Sequence, residues 1–255
     1  MNRAKPNLHV YATAEALSLA AADLFLAIGR QSVADTGRFT VALAGGSTPL
    51  RLYELLAENP HRAGMDWTAV EWFFGDERAV PPDHPDSNYR MARAALLDPV
   101  FAPAGRVHRM MAEDADLPAA AADYQTVMAR VFGADSDGPP PVFDLVLLGM
   151  GDDGHTASLF PYTEALRVSN AWVAANEVPQ LRSRRMTLTF PLINNAANVL
   201  FLVAGSDKTG VLAKVLEGPA DPDRLPSQRV VPVTGNLLWY VDDDAAGQLT
   251  CGSEK

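Results

Sequence analysis

One cysteine, Cys251, stands in a chain of 255 residues, which excludes an intrachain disulfide framework and any cysteine-built metal cluster. A reducing cytoplasm is the compartment expected on that ground. Histidine is scarce as well. The five are His9, His61, His84, His108 and His155, with no His-x-x-x-His spacing among them, so no metal is expected. Long apolar runs are missing. No stretch reaches the ~18 residues of a membrane-spanning helix, so no membrane is expected as a partner. Residues 1–9 carry charge without the apolar core of a secretory signal. Basic charge is in short supply: 21 Lys and Arg against 31 Asp and Glu leave a net charge of −10, which argues against nucleic acid. A small anion is still open to this chain, because a few cations converging on one pocket can hold a phosphate on an acidic protein. The Gly-x-Ser-x-Gly elbow of a serine hydrolase is absent.

What is present is 48% hydrophobic and only 20% charged, enough to bury a sizeable core, and a single domain over residues 1–255 is expected. Short apolar strands are expected at 8–11, 39–44, 70–74, 107–110, 143–148, 171–176, 186–190, 198–204, 230–233 and 237–241. Helical patterns lie between most of them. One runs from 14 to about 33, with Leu17, Ala21, Leu24 and Ile28 on one stripe and Thr13 as its cap. Others follow Pro49, placed at a first helical position, and cover 88–97, 118–132 and 206–216, the last capped by Ser206. The proline-rich 138–141 segment is read as a surface loop rather than a domain boundary. Strand–helix alternation of this kind implies an α/β fold, a mainly parallel open sheet with helices on both faces.

Polar clusters fall at the ends of those strands: 45–48, 75–78 and 151–155, with a fourth at 205–208 opening the late helix. In a parallel sheet all four belong on one edge, where ligands bind. Gly45-Gly46-Ser47-Thr48 is neither a P-loop nor a dinucleotide fingerprint. It reads as an anion site at a helix start, or equally as a cap and tight turn. In Asp76-Glu77-Arg78 the guanidinium suits a phosphate, the alternative being a solvated triplet. Lys208 sits unfavourably at a helix start unless an anion is there. The most specific segment is Gly149-Met150-Gly151-Asp152-Asp153-Gly154-His155, which follows an apolar strand. It places the one side-chain type that titrates near neutral pH next to an acid that can orient it.

In these segments the chain resembles the 6-phosphogluconolactonases. The matching residues are 43–49, 72–78, 87–89, 149–161, 185–189 and 205–208, in order over roughly 40–215. The wider superfamily includes the glucosamine-6-phosphate deaminases. Those carry a glutamate five residues after the histidine, where this chain has Phe160. The resemblance implies a modified Rossmann-like fold of deaminase/isomerase type. It also implies hydrolysis of 6-phospho-D-glucono-1,5-lactone by base-activated water, without a covalent intermediate. His155 would be the base and Asp153 would support it or orient the region. Gly45, Gly46, Ser47, Asp76, Arg78, Lys208 and, more weakly, Arg185 would bind substrate and phosphate. No metal, cofactor or obligate protein partner is implied. The competing readings are an amino-sugar-phosphate deaminase and a non-catalytic sugar-phosphate sensor.

Overall fold

The computed structural model describes residues 7–250. Cys251 and the first six residues of the charged N-terminal segment lie outside the described residues. The order is β1 (Asn7–Tyr11), α1 (Ala14–Thr36), β2 (Phe39–Leu43), α2 (Ser47–Ala57), β3 (Val70–Phe74), β4 (Asp76–Arg78), α3 (Asn88–Ala92) and α4 (Leu117–Phe132). It continues with β5 (Leu145–Leu148), β6 (Val173–Val178), β7 (Ser183–Leu188), α5 (Phe190–Ile193), β8 (Asn198–Val203), α6 (Thr209–Leu216), β9 (Asn236–Asp242) and α7 (Asp243–Ala246).

Thr13 caps α1 as expected, its side chain accepting the Ala16 N–H, and Gly37 closes the helix in the left-handed conformation. By length and composition α1 would suffice to cross a membrane, which the sequence reading did not anticipate. In the fold the fully buried face is Leu17, Ala21, Ala22 and Phe25, packed on α2, β2 and β9, while Leu24 and Ile28 of the expected stripe are only partly buried at its margin. Leu17 and Phe25 each contribute on the order of 1.5–3 kcal/mol by leaving water.

Six strands form one all-parallel sheet in the order β1-β9-β8-β5-β2-β3. β2 and β5 are buried on both faces, and for that reason their residues are apolar except Thr40, whose hydroxyl donates to Asp144 at 2.7 Å. β2 hands the chain outward to β3, whereas β5 hands it toward β8 on the other side. The loops after these two neighbours therefore part and leave a crevice at the carboxyl edge.

Expectation and structure differ in several places. β4, β7 and β6 form a second, antiparallel sheet, with Asp76–Arg78 as a strand of it rather than a loop end. β6 and β7 also run later and earlier than expected, and only a turn at Pro179–Leu181 joins them. A connection that short can join only antiparallel strands, since parallel ones need a long crossover. The 107–110 segment makes a single bridge, Val107 with Trp72, beside the edge strand β3. Residues 230–233 form no strand; Pro232 lacks an N–H, and the N–H groups of Val231 and Val233 bond Asn194 instead. Ser206 caps nothing, because a 3₁₀ turn at Ser206–Lys208 precedes α6. Pro49 is the third helical residue of α2, not the first.

Candidate active site

The loop after β2 is shaped from beneath. Tyr53, from the second turn of α2, is buried, and its hydroxyl accepts the Ala44 N–H at 2.9 Å while donating to the Ala44 carbonyl at 2.8 Å. Gly46 follows at φ 104°, a conformation that favours glycine, and it stands at the head of α2 without a side-chain cap. The first N–H groups of that helix are left facing the crevice, with Ser47 exposed beside them.

The loop after β5 carries the imidazole. Gly149, Gly151 and Gly154 have the spacing of a dinucleotide fingerprint, but turns follow them, so no helix dipole points into the crevice from here. His155 Nδ1 lies 2.6 Å from Asp153 Oδ1, and the His155 backbone N–H donates to the same oxygen at 3.0 Å. The ring presses on the backbone of Gly151, where any Cβ would collide with Nδ1 and Cε1. Its other support is Phe160, stacked at 3.9 Å between centroids and 24° between planes. From behind, Ser227 holds the Gly154 carbonyl with both its N–H and its hydroxyl, at 3.0 and 2.9 Å. Burial works to raise the Asp153 pKa, yet the hydrogen bond and charge of His155 outweigh it and hold the carboxyl below its ordinary range. An ionised carboxylate only accepts, so Nδ1 carries the hydrogen that joins the two side chains.

One face of the small sheet turns toward the crevice. Asp76 pairs with Thr187 in register, and Arg78 pairs with Arg185, which in turn pairs with Asn176. Directly paired residues share a face, so two guanidiniums stand side by side. Neither has a carboxylate within ion-pair distance among the described residues. Arg78 donates from Nη1 to the Asp86 carbonyl, while its buried Nε has no partner. Arg185 donates from Nε to Ser183 Oγ at 3.1 Å. Burial, and then the charge of Arg78, push the Arg185 pKa down. Glu77 points the other way, accepting the N–H groups of Arg78, Asn88 and Tyr89 and the Ser87 hydroxyl, which pins the start of α3. That anchoring role was not read from the sequence.

After β8, the Gly205 N–H is held by the Asp242 carboxylate at 3.0 and 3.1 Å. Lys208 Nζ lies 3.0 Å from Asp207, so the unfavourable helix-start charge has a partner the sequence reading did not assign.

Gly45, Gly46, Ser47, Asp76, Arg78, His155, Arg185 and Lys208 line one cleft of about 420 Å³. Asp153 does not line it, and reaches the cleft only through the His155 ring. Among the described residues no group of three or more His, Cys, Asp or Glu is placed to hold a metal ion. Two residues missed by sequence reasoning also line the cleft. Leu181 projects from the β6–β7 turn, and Ser158 is a polar residue only 1% exposed. A signal for the small-sheet face was there: Arg185, Thr187 and Thr189 alternate with Met186 and Leu188, a strand period with one polar face.

A family model described as glucosamine-6-phosphate isomerases/6-phosphogluconolactonase matches residues 12–239. The chain belongs to this family. A 6-phosphogluconolactonase from a Nostoc strain is 42% identical over 96% of this chain and 99% of its own length. One from a Synechocystis strain is 43% identical over 86% of this chain and 88% of its own. The solved 6-phosphogluconolactonase of Trypanosoma cruzi superposes with a TM-score of 0.85 at 32% identity, covering 97% of this chain and 98% of that one. The isomerase/lactonase fold expected from the sequence is thus the fold observed, with the antiparallel second sheet as its addition.

Proposed function

We propose that this chain hydrolyses 6-phospho-D-glucono-1,5-lactone to 6-phosphogluconate. The observation that carries the reading is the shared cleft, with an oriented imidazole and an unpaired guanidinium couple in its wall. A lactone is an activated cyclic ester, so its hydrolysis needs a base for water and donors for the developing oxyanion, and calls for no metal or organic cofactor. His155 Nε2 takes the proton from water, a contribution of ~10²–10⁴-fold for a positioned base. Water adds directly to C1, so no covalent enzyme intermediate forms. Asp153 holds the ring in the tautomer that this step needs. Backbone N–H groups of the glycine-rich loops stabilise the oxyanion.

At the other end, Arg78, Arg185 and Lys208 hold the phosphate, with the N–H groups at Gly46 and Ser47. Gly45 lets the chain approach closely, and Asp76 accepts from sugar hydroxyls. The grip raises rate as well as affinity, because it fixes C1 relative to the water. Names of relatives and the site chemistry support this reading together; a cytoplasmic location rests on the lone cysteine. The test is a coupled assay with freshly generated lactone, after subtraction of uncatalysed opening. Turnover no faster than the uncatalysed reaction overturns the proposal.

A further inference from the structure

Ser158 belongs to the loop that carries His155, yet every polar group it has is taken by the small sheet. Its N–H donates to Thr187 Oγ1 of β7 at 3.2 Å. Its hydroxyl donates to Asp76 Oδ2 of β4 at 2.6 Å. Its carbonyl accepts from Asn176 Nδ2 of β6 at 2.8 Å. All three strands of that sheet therefore hold one residue, through the same face that carries Arg78 and Arg185. The side chain is 1% exposed, although the residue lines the cleft. The turn that delivers it is itself strained: Ala157 stands at φ 47°, where a Cβ is disfavoured, and Thr156 bridges to Leu159 across it. Two residues further on, Phe160 stacks on the imidazole.

We propose that Ser158 is a positioning residue that sets the spacing between the imidazole and the guanidinium couple. His155 comes from a loop of the large sheet and the arginines from the small one. The two sheets are tied at their root by Gly75, whose N–H donates to the Leu43 carbonyl and whose carbonyl accepts from the Leu188 N–H. Beyond that root, Ser158 ties the histidine loop to all three strands, beside a second bond from Asn176 Nδ2 to Thr163 Oγ1. The inference rests on the lactonase reading, in which a substrate of fixed length spans both ends. A displacement of about 1 Å between reacting groups can cost on the order of 10²-fold in rate. Loss of the fastening therefore falls on kcat, while the arginines keep their own hold on an anion.

The test compares Ser158→Ala with wild type in two measurements. One is kcat on the phosphorylated lactone; the other is the inhibition constant of inorganic phosphate, which probes the guanidinium end alone. The expected result is a fall in kcat of about tenfold or more with the inhibition constant within about twofold of wild type. Thr187→Val, which leaves the Ser158 hydroxyl and carbonyl bonds in place while removing the acceptor of its N–H and a donor to the Leu188 carbonyl, is expected to move the same way by less, and it carries the test if Ser158→Ala fails to fold. An unchanged kcat overturns the proposal, as does a parallel loss of kcat and phosphate affinity, the signature of a merely loosened fold. Absence of lactone turnover in the wild type would instead remove the underlying reading, so the two failures are distinct.

Discussion

Arg78 and Arg185 face one another across the β4–β7 rung with no carboxylate within ion-pair distance of either among the described residues. Like charges directly opposite on a sheet destabilise it, by an amount in the range of about 0.2–1 kcal/mol typical of cross-strand pairs. Such an arrangement is relieved by an anion between the two forks, and the uncapped first turn of α2 lines the same cleft.

Arg78→Ala should chiefly raise KM for the phosphorylated lactone. Charge-assisted hydrogen bonds of this kind contribute about 1.5–3 kcal/mol, so the rise should be roughly 10- to 100-fold. Wild-type protein should gain melting temperature on addition of inorganic phosphate, and the variant should gain less. An unchanged KM and an undiminished phosphate effect would remove Arg78 from the anion site.

His155→Ala should lower kcat by ~10²–10⁴-fold, the range for a positioned base, with little change in KM or in circular dichroism. Wild-type turnover in this variant would show that the imidazole is not the base.

Asp153 links the site to acid stability. Its carboxyl is held below the ordinary value of 3.8, with burial opposing and the His155 hydrogen bond and charge prevailing. A group with a depressed folded-state pKa contributes stability above its unfolded value, and that contribution is lost as pH falls through the folded value. Thermal stability of the wild type should therefore decline below about pH 4, and Asp153→Asn should lack that part of the decline. Identical profiles for the two proteins would show that the pair carries no such linkage.

Phe160, which stacks on His155, stands five residues after it, where the resemblance places the glutamate of the deaminases. An aromatic ring relays no proton, so glucosamine-6-phosphate should release no ammonia. Measurable release in a glutamate-dehydrogenase-coupled assay would favour the deaminase reading over the lactonase one.

Much of this site was legible in the chain because its parts sit at strand ends. Residues 149–155 follow an apolar strand, 45–48 lie between a strand and a helix, and parallel pairing brings all such ends to one edge. The second sheet was harder to read. Asp76–Arg78 is three residues long, too short for alternation to register, and its partner β7 is more than a hundred positions away. Residues 107–110 (Val-His-Arg-Met) find a single bridge to Trp72, and the apolar 230–233 segment carries Pro232, which can donate to no ladder.

The sequence by itself determined the alternating α/β plan and the residue types at the cleft, since periodicity, glycine spacing and charge are local properties of the chain, and its motifs carried the family resemblance. Only the tertiary structure decided that two arginines stand in register, that Phe160 covers the imidazole, and that Ser158 fastens the histidine loop to three strands at once. The arginine rung and the Ser158 bonds join segments remote in sequence, and Phe160, five residues from His155, stacks on it only because the intervening turn folds back; packing geometry rather than local preference selects each partner.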